Sequence, residues 1–345
     1  MEDQPCTVLD PSGDLRLSTA TQDFVVSSKA MCLASPVWRA MFDPQGRWAK
    51  QSSGVFDLPD DDAHALLLLL RIAHLQFSDL PDALVIYRHL LQLAVLCDKY
   101  DTVQLVRPWI SEWQAPLQAQ AEESCREGCE GYEGYETWLF VAWTFGDEAV
   151  FGKISRSLVL TSTVAVVDGE ERLVNAQGVM VGDTMPPGSV DTIIEARSER
   201  ISALLEMCYK LLDQYESSTL VAPGDTSICT CGQSSKECDT LVYGCLIKGL
   251  RSLKLFPERA KVNEVELSVV AFADKLRSLE CFAYPVVLQN DPYGYRYGRH
   301  PMGQGSHSSC GFTLAFANHI KVIIGQEEPS GVLEAHLTHL HEQKK

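Results

Sequence analysis

A stretch rich in glutamate and glycine divides the chain into two parts that differ in composition. Residues 122–136 hold six glutamates with interleaved glycines. All six tryptophans lie before this stretch or just after it, whereas the closely spaced cysteines begin only at Cys229. A segment this polar has too little apolar surface to pack, which is typical of a linker. We therefore predict an N-terminal domain over residues 10–113, an acidic linker over 114–136 and a separate region over 137–345.

Composition restricts the class of protein. The chain has 345 residues, 46% of them hydrophobic, and 29 basic against 46 acidic side chains give a formal net charge of −17. Such a chain can bury a core, which excludes wholesale disorder. Because a phosphate backbone is held by clustered Lys and Arg, the acidic balance argues against nucleic acid as a partner. The longest apolar run, residues 65–70, is far shorter than the ~20 residues that cross a bilayer, so we expect no membrane span.

The cysteines and the N-terminus indicate a reducing compartment. Residues 1–14 carry four acidic side chains and lack the apolar core of a signal peptide. The 12 cysteines are dispersed rather than packed into a short disulfide scaffold. We expect the protein in the cytoplasm or the nucleus, with thiols that serve as core residues or metal ligands.

Periodicity predicts strands first and helices afterwards. Leu15 and Leu17 alternate with polar residues, and the β-prone residues 24–26 follow, which predicts a hairpin with one buried face. Helical spacing then begins near residue 30, and the acidic residues 60–62 fit the N-terminal cap of a leucine-rich helix. This order predicts an α+β fold.

The second part is nearly all helical in pattern. An apolar stripe runs along residues 201–215 at helical spacing. Asn263 and Glu266 have the spacing of a capping box ahead of a further helix. Two more helices are predicted over residues 312–324 and 333–340. We therefore expect a mostly α-helical C-terminal region.

Several blocks of the first part resemble the BTB/POZ domain in order and spacing. They are residues 14–17, 24–26, 34–42, 58–62, the end of a leucine-rich helix at 72–74, and 93–101. The last two blocks, together with residues 196–198, are most similar to BTB proteins of filamentous fungi, and a weaker resemblance extends over the C-terminal region. The resemblance implies a short N-terminal sheet covered by helices, and a domain that forms two-fold dimers.

The sequence departs from the BTB pattern at two places. Many members carry His and a basic residue after the second strand, and that basic residue meets the aspartate corresponding to Asp14 near the dimer interface. Here those positions hold Ser27 and Ser28, and Lys29 comes one position later. The motif by which some members engage a cullin scaffold is not evident around residues 42–44. Both departures bear on the partners that the resemblance implies rather than on the fold.

A set of cysteines and a histidine has the residue types of a zinc site. They are Cys229, Cys231, Cys238, His307 and Cys310. Zinc takes four soft or borderline donors in a tetrahedron, and two short chelate pairs from separate segments can supply them. We predict one structural zinc ion bound by Cys238, His307, Cys310 and either Cys229 or Cys231. The alternative is a group of reduced structural thiols in a loop, because the Cys229/Cys231 spacing is tighter than that of most zinc loops.

No catalytic constellation is found in the sequence. Among the tail histidines His336, His339 and His341, the first two share a helical face but have no acidic residue between them that could act as a base, and we interpret the three as a solvated or partly packed face. The glycine-rich residues 294–305 match neither a P-loop nor a dinucleotide fingerprint, and are interpreted as a surface loop.

These observations predict a non-enzymatic protein that binds other proteins. Its N-terminal domain would self-associate, as a homodimer, and the chain would act as an adaptor or scaffold. Two narrower alternatives stay open: a substrate adaptor of a cullin-type ubiquitin ligase, and a nuclear scaffold related to transcription. An enzyme in the C-terminal half would have to use the same Cys and His residues, for which zinc ligation is the simpler interpretation.

Overall fold

The protein is described by a computed structural model. It covers residues 5–43, 55–126, 135–182, 184–220, 228–229, 236–282, 307–325 and 331–344. The predicted α+β class is confirmed, since a small N-terminal sheet is followed by a chain that is mostly helical. Within the described residues, no helix combines the length and apolar character needed to cross a membrane.

The N-terminal sheet has four strands in the order β1-β3-β2-β4. Its strands are β1 (Cys6–Val8), β2 (Leu15–Thr19), β3 (Asp23–Val26) and β4 (Val55–Leu58). The predicted hairpin is confirmed, because β2 and β3 pair antiparallel with Leu17 opposite Phe24. Both of these side chains are buried, so the alternation in the sequence marks the core face as expected.

Helices cover this sheet. They are α1 (Ser28–Ala34), α2 (Pro36–Met41), α3 (Ala63–Ala73), α4 (Tyr87–Tyr100) and α5 (Val103–Arg126). The predicted acidic cap is the side chain of Asp62, which accepts the amide hydrogen of Ala65 at the start of α3. Ser35 ends α1 and caps α2, and its hydroxyl also donates to the carbonyl of Tyr100.

The later elements are helical except for one hairpin. The helices are α6 (Trp138–Phe145), α7 (Glu148–Thr161), α8 (Ser189–Leu220), α9 (Lys236–Ser252), α10 (Val269–Arg277), α11 (Thr313–Gly325) and α12 (Glu334–Gln343). Strands β5 (Thr163–Val167) and β6 (Glu170–Val174) pair antiparallel between α7 and α8. Asp168 and Gly169 form the turn with φ of 54° and 83°. Both angles are positive, as the turns that match the twist of paired strands require.

The chain forms two compact units. The first unit takes in residues 1–155, 176–190 and 332–345, and the second takes in 156–175 and 191–331. The predicted boundaries of the domains at 113 and 136 remain a prediction, but α5 continues to Arg126, and the first unit draws residues from both sides of the predicted linker. Residues 127–134 lie outside the described part of the chain.

The core of the second unit is built from α8, α9, α10 and α11. The predicted stripe on residues 201–215 is its largest contribution, and α9 adds Val242, Leu246 and Leu250 to the same core. The predicted capping box is wrong: the side chain of Ser268 caps α10 by accepting the amide hydrogen of Ala271. A hydroxyl directly before the helix leaves no need for the earlier Asn263.

Candidate metal centre

Four predicted ligands come together at one place in the second unit. Cys229 lies in the short described segment 228–229, and Cys238 is the third residue of α9. His307 begins a single turn of 3₁₀ helix, and Cys310 follows that turn just ahead of α11. Three separate segments of the chain therefore supply donors to one place.

The spacing of the donor atoms fits a tetrahedral metal. The ligand atoms of all four side chains lie within 4.8 Å of one another. Cys229 Sγ is 3.3 Å from His307 Nδ1 and 3.5 Å from Cys310 Sγ, and Cys310 Sγ is 3.9 Å from His307 Nδ1. Zinc bonds of about 2.3 Å to sulfur and about 2.0 Å to nitrogen give tetrahedral edges of roughly 3.8 Å for S···S and 3.5 Å for S···N. The observed edges cluster around these values.

Local hydrogen bonds set the positions of the ligands. The carboxylate of Asp239 accepts the backbone N–H of Ile228 at 3.1 Å. This bond fixes the residue before Cys229 to the residue after Cys238. On the other side, the N–H of Cys310 donates to the carbonyl of His307 at 3.1 Å, which closes the turn that places both side chains on one side.

The site is largely shielded from water. Cys238 is 1% exposed and His307 is 6% exposed, while Cys229 and Cys310 are half-buried. Burial, together with hydrogen bonding to Cys229 and the proximity of Cys310, raises the pKa of the Cys238 thiol. Three thiolates cannot share this space without a cation to neutralise them. The N-terminus of α9 also favours a negatively charged sulfur at Cys238.

The cluster is continuous with the hydrophobic core. Cys238 belongs to the core itself, and Cys229 and Cys310 pack against it. Phe312, two residues after Cys310, is buried in the same core and contacts Phe316 of α11 with ring centroids 5.0 Å apart. A bond at Cys310 therefore holds the start of α11 against the start of α9.

The structure describes one of the two alternatives that the sequence left open. Of the two alternatives for the fourth ligand, Cys229 joins the cluster, and Cys231 lies outside the described residues. The role of Asp239 was not predicted, although a carboxylate directly after a ligand at a helix start was a usable signal. In the part of the chain that the structure describes, no second group of three or more Cys, His, Asp or Glu converges in this way.

Comparison of the chain with protein-family models, curated proteins and solved structures finds no match. The resemblance to BTB/POZ domains therefore stays a prediction from the residues quoted above. The functional argument rests on the geometry of the site.

Proposed function

We propose that the chain is a non-enzymatic interaction protein whose second unit is folded around a structural zinc ion. The observation that carries this proposal is the closed donor set of Cys229, Cys238, His307 and Cys310. Catalytic zinc sites keep one coordination position for water or substrate, whereas structural sites fill all four positions with protein ligands. Three sulfurs and one imidazole nitrogen leave no position for a substrate.

The chemistry of the donors selects zinc among common metals. Calcium and magnesium prefer oxygen ligands, and this cluster offers none. Tetrahedral sets rich in thiolate and completed by imidazole are typical of zinc. Bound zinc would join segment 228–229, the start of α9 and the turn before α11. Because the unfolded chain has no preformed site, the free energy of zinc binding would contribute directly to folding of the second unit.

Metal content tests this proposal. Full-length protein purified without chelator should contain about one zinc per chain, as structural sites of this kind do. Cys238→Ser and Cys310→Ser should lose the metal and unfold at a lower temperature. Cys245→Ser is the matched control, since Cys245 is a half-buried cysteine of the same helix α9 that lies outside the donor set. Absence of metal, with an unchanged melting temperature for Cys238→Ser, would contradict the proposal.

Self-association of the first unit is the second part of the proposed function. Leu33 on α1 is 83% exposed and Val37 on α2 is 38% exposed, so these adjacent helices present apolar side chains to solvent. The resemblance to BTB/POZ domains supports a second copy of the chain as the occupant of this surface. Ser28 stands where many BTB/POZ domains have a basic residue, so the interface would differ from theirs at this position. Asp14 accepts hydrogen bonds from the hydroxyl and the N–H of Ser28, and these bonds lower the pKa of Asp14.

Light scattering of the full chain tests self-association. The expected mass is twice that of the monomer, and Leu33→Glu should shift it to the monomer because a charge would be buried at the interface. Leu314→Glu is the control, since Leu314 is an exposed leucine of α11 in the second unit. A monomer at all accessible concentrations would contradict self-association.

An adaptor role follows if the second unit binds a different protein. Affinity purification of the tagged full chain, followed by mass spectrometry, tests this role. Recovery of a cullin would support the ubiquitin-ligase alternative, and recovery of chromatin factors would support the nuclear scaffold. Recovery of no protein other than the chain itself would contradict the adaptor role and leave self-association to its own test.

A further inference from the structure

The C-terminal helix α12 packs within the first unit through a face that carries two histidines. It lies against α6, in which every residue from Trp138 to Thr144 is buried. His336 of α12 contacts Phe151 of α7 with ring centroids 5.4 Å apart, and Leu340 of α12 is fully buried. The docked face therefore combines an apolar side chain with imidazoles, whose charge changes near neutral pH.

His336 is held in its neutral form by two backbone groups. It is 3% exposed. Its Nδ1 accepts the N–H of Leu333 at 3.1 Å, and its Nε2 lies 2.8 Å from the carbonyl oxygen of Pro187. Since an N–H can only donate and a carbonyl can only accept, the single ring proton belongs on Nε2. A second proton on Nδ1 would face the N–H of Leu333 and break the bond that caps α12.

His339, which is half-buried, makes the second contact. Its ring stacks on Trp143 with centroids 4.0 Å apart and an interplanar angle of 11°. Its Nε2 is buried and has no hydrogen-bond partner among the described residues. Burial lowers the pKa of His339, and this effect outweighs the opposite influence of Asp98, Glu342 and a hydrogen bond to the backbone of Trp143.

We propose that protonation of His336 and His339 releases α12 from the first unit, so that the C-terminal helix is an acid-sensitive latch over α6. Where α12 docks, burial disfavours the charged ring of His339, and the N–H of Leu333 and the carbonyl of Pro187 leave room for only one ring proton on His336. Both rings are free to take a second proton once the helix has left. The released state therefore binds more protons than the docked state, and lowering the pH favours release. Release would uncover the apolar face of α6.

The charged groups around α12 do not cancel this effect. Asp98 of α4 and Glu342 of α12 face His339 and favour its protonated form. Glu148 of α7 lies 3.6 Å from His341 and 3.2 Å from Lys344, and these contacts hold α12 in its docked position. The pair of His341 and Glu148 is well exposed, and solvent weakens such pairs.

One further cation holds the end of α12 without titrating. Arg107 of α5 donates to the carbonyl of Gln343. An arginine keeps its charge at every pH in question, so this bond does not change as the pH falls. Arg107 therefore does not contribute to the pH dependence of release, whereas burial raises the pKa of Asp98, which faces His339.

Hydrogen exchange of the full chain, read by mass spectrometry, measures the opening of α12. For a histidine in the released helix, with a pKa of about 6.5, the protonated form outnumbers the neutral form about tenfold at about pH 5.5. Each histidine that stays neutral when docked should then raise the opening constant by up to about tenfold between about pH 7.5 and pH 5.5. Exchange rates are corrected for their intrinsic pH dependence, and α3 of the same unit serves as the internal reference.

Two substitutions assign the effect to the histidines. His339→Phe keeps a ring on Trp143 without a titrating group, and His336→Asn keeps an acceptor for the N–H of Leu333. Each should reduce the pH dependence of α12 opening, by up to about tenfold. His319→Asn is the control, because His319 is an exposed histidine of α11, and it should leave the dependence unchanged. Opening of α12 that follows α3 at both pH values, or a full pH dependence in His339→Phe, would overturn the proposal.

Discussion

At the scale of single residues, Asp239 connects the metal centre to the start of α9. Its side chain is buried, and it accepts the N–H of Ile228 next to the ligand Cys229. Groups that orient metal ligands without touching the metal commonly change affinity by about 10- to 100-fold when they are removed. Asp239 is therefore a positioning residue in the proposed zinc site.

Asp239→Asn tests this role. The amide keeps the size of the side chain but weakens the acceptor, so zinc affinity should fall by about 10- to 100-fold while the stoichiometry stays at one. The measurement is competition with a chromophoric chelator. Glu237→Gln, on the same turn of α9 but outside the donor set, is the control and should leave affinity unchanged. Equal zinc affinities for Asp239→Asn and the native chain would show that Asp239 does not act as a positioning residue.

The sequence predicted ligands better than it predicted their surroundings. Residue type and short chelate spacing pointed to Cys238, His307 and Cys310, which cluster with Cys229 in the structure. The choice between Cys229 and Cys231 stays a prediction, because Cys231 lies outside the described residues. The tail histidines were expected to be solvated or partly packed. His336 is instead buried and bonded to backbone groups from two segments, which no local pattern encodes.

At the scale of elements, Arg197 fastens α8 to two other segments of the second unit. The guanidinium is buried and donates to the carbonyls of Ser162, Val265 and Leu267. Burial lowers its pKa, but an arginine stays charged in proteins. One side chain thus satisfies carbonyls at the end of α7 and ahead of α10.

Arg197→Met should destabilise the second unit by about 2–4 kcal/mol, because it leaves buried carbonyls without donors. The measurement is chemical unfolding followed by circular dichroism. Arg277→Met is the control: Arg277 pairs with Asp274 at a largely exposed position, so its loss should cost less than about 1 kcal/mol. A cost for Arg197→Met no greater than that of the control would show that these hydrogen bonds contribute little.

Helices and strands with a strong hydrophobic periodicity could be predicted from the sequence, whereas the β5–β6 hairpin was missed. The apolar stripe on residues 201–215 and the alternation around Leu17 report burial directly. The β5–β6 hairpin was not predicted, although its signal was present: a run of β-branched residues is followed by Asp168 and Gly169, a pair that favours a two-residue turn.

At the scale of the whole molecule, the predicted linker does not separate the two compact units. The hydroxyl of Tyr87, before residues 127–134, lies 2.6 Å from Thr137 Oγ1 after them. The ring of Tyr87 stacks on Trp138 with centroids 4.9 Å apart. The polar composition of the stretch was evident from the sequence. The packing of α6 against elements from both ends of the chain was not, because it depends on contacts between distant residues.

Cutting the chain within residues 127–134 tests this arrangement. A site for a specific protease placed there should allow cleavage into two fragments that co-elute on a sizing column and separate only in denaturant. The uncut chain with the same inserted site is the control for the elution volume. Fragments that separate without denaturant would show instead that the stretch joins independently folded domains, as the composition suggested.

Determining which atoms bind the metal tests most directly the central claim, a structural zinc site in the second unit. X-ray absorption at the zinc edge, recorded on the full chain as purified, reports the identity and distance of the bound atoms. The account predicts three sulfurs at about 2.3 Å and one nitrogen at about 2.0–2.1 Å. A shell of oxygen atoms, a shell with an open position filled by water, or the absence of zinc would contradict a structural site formed by Cys229, Cys238, His307 and Cys310.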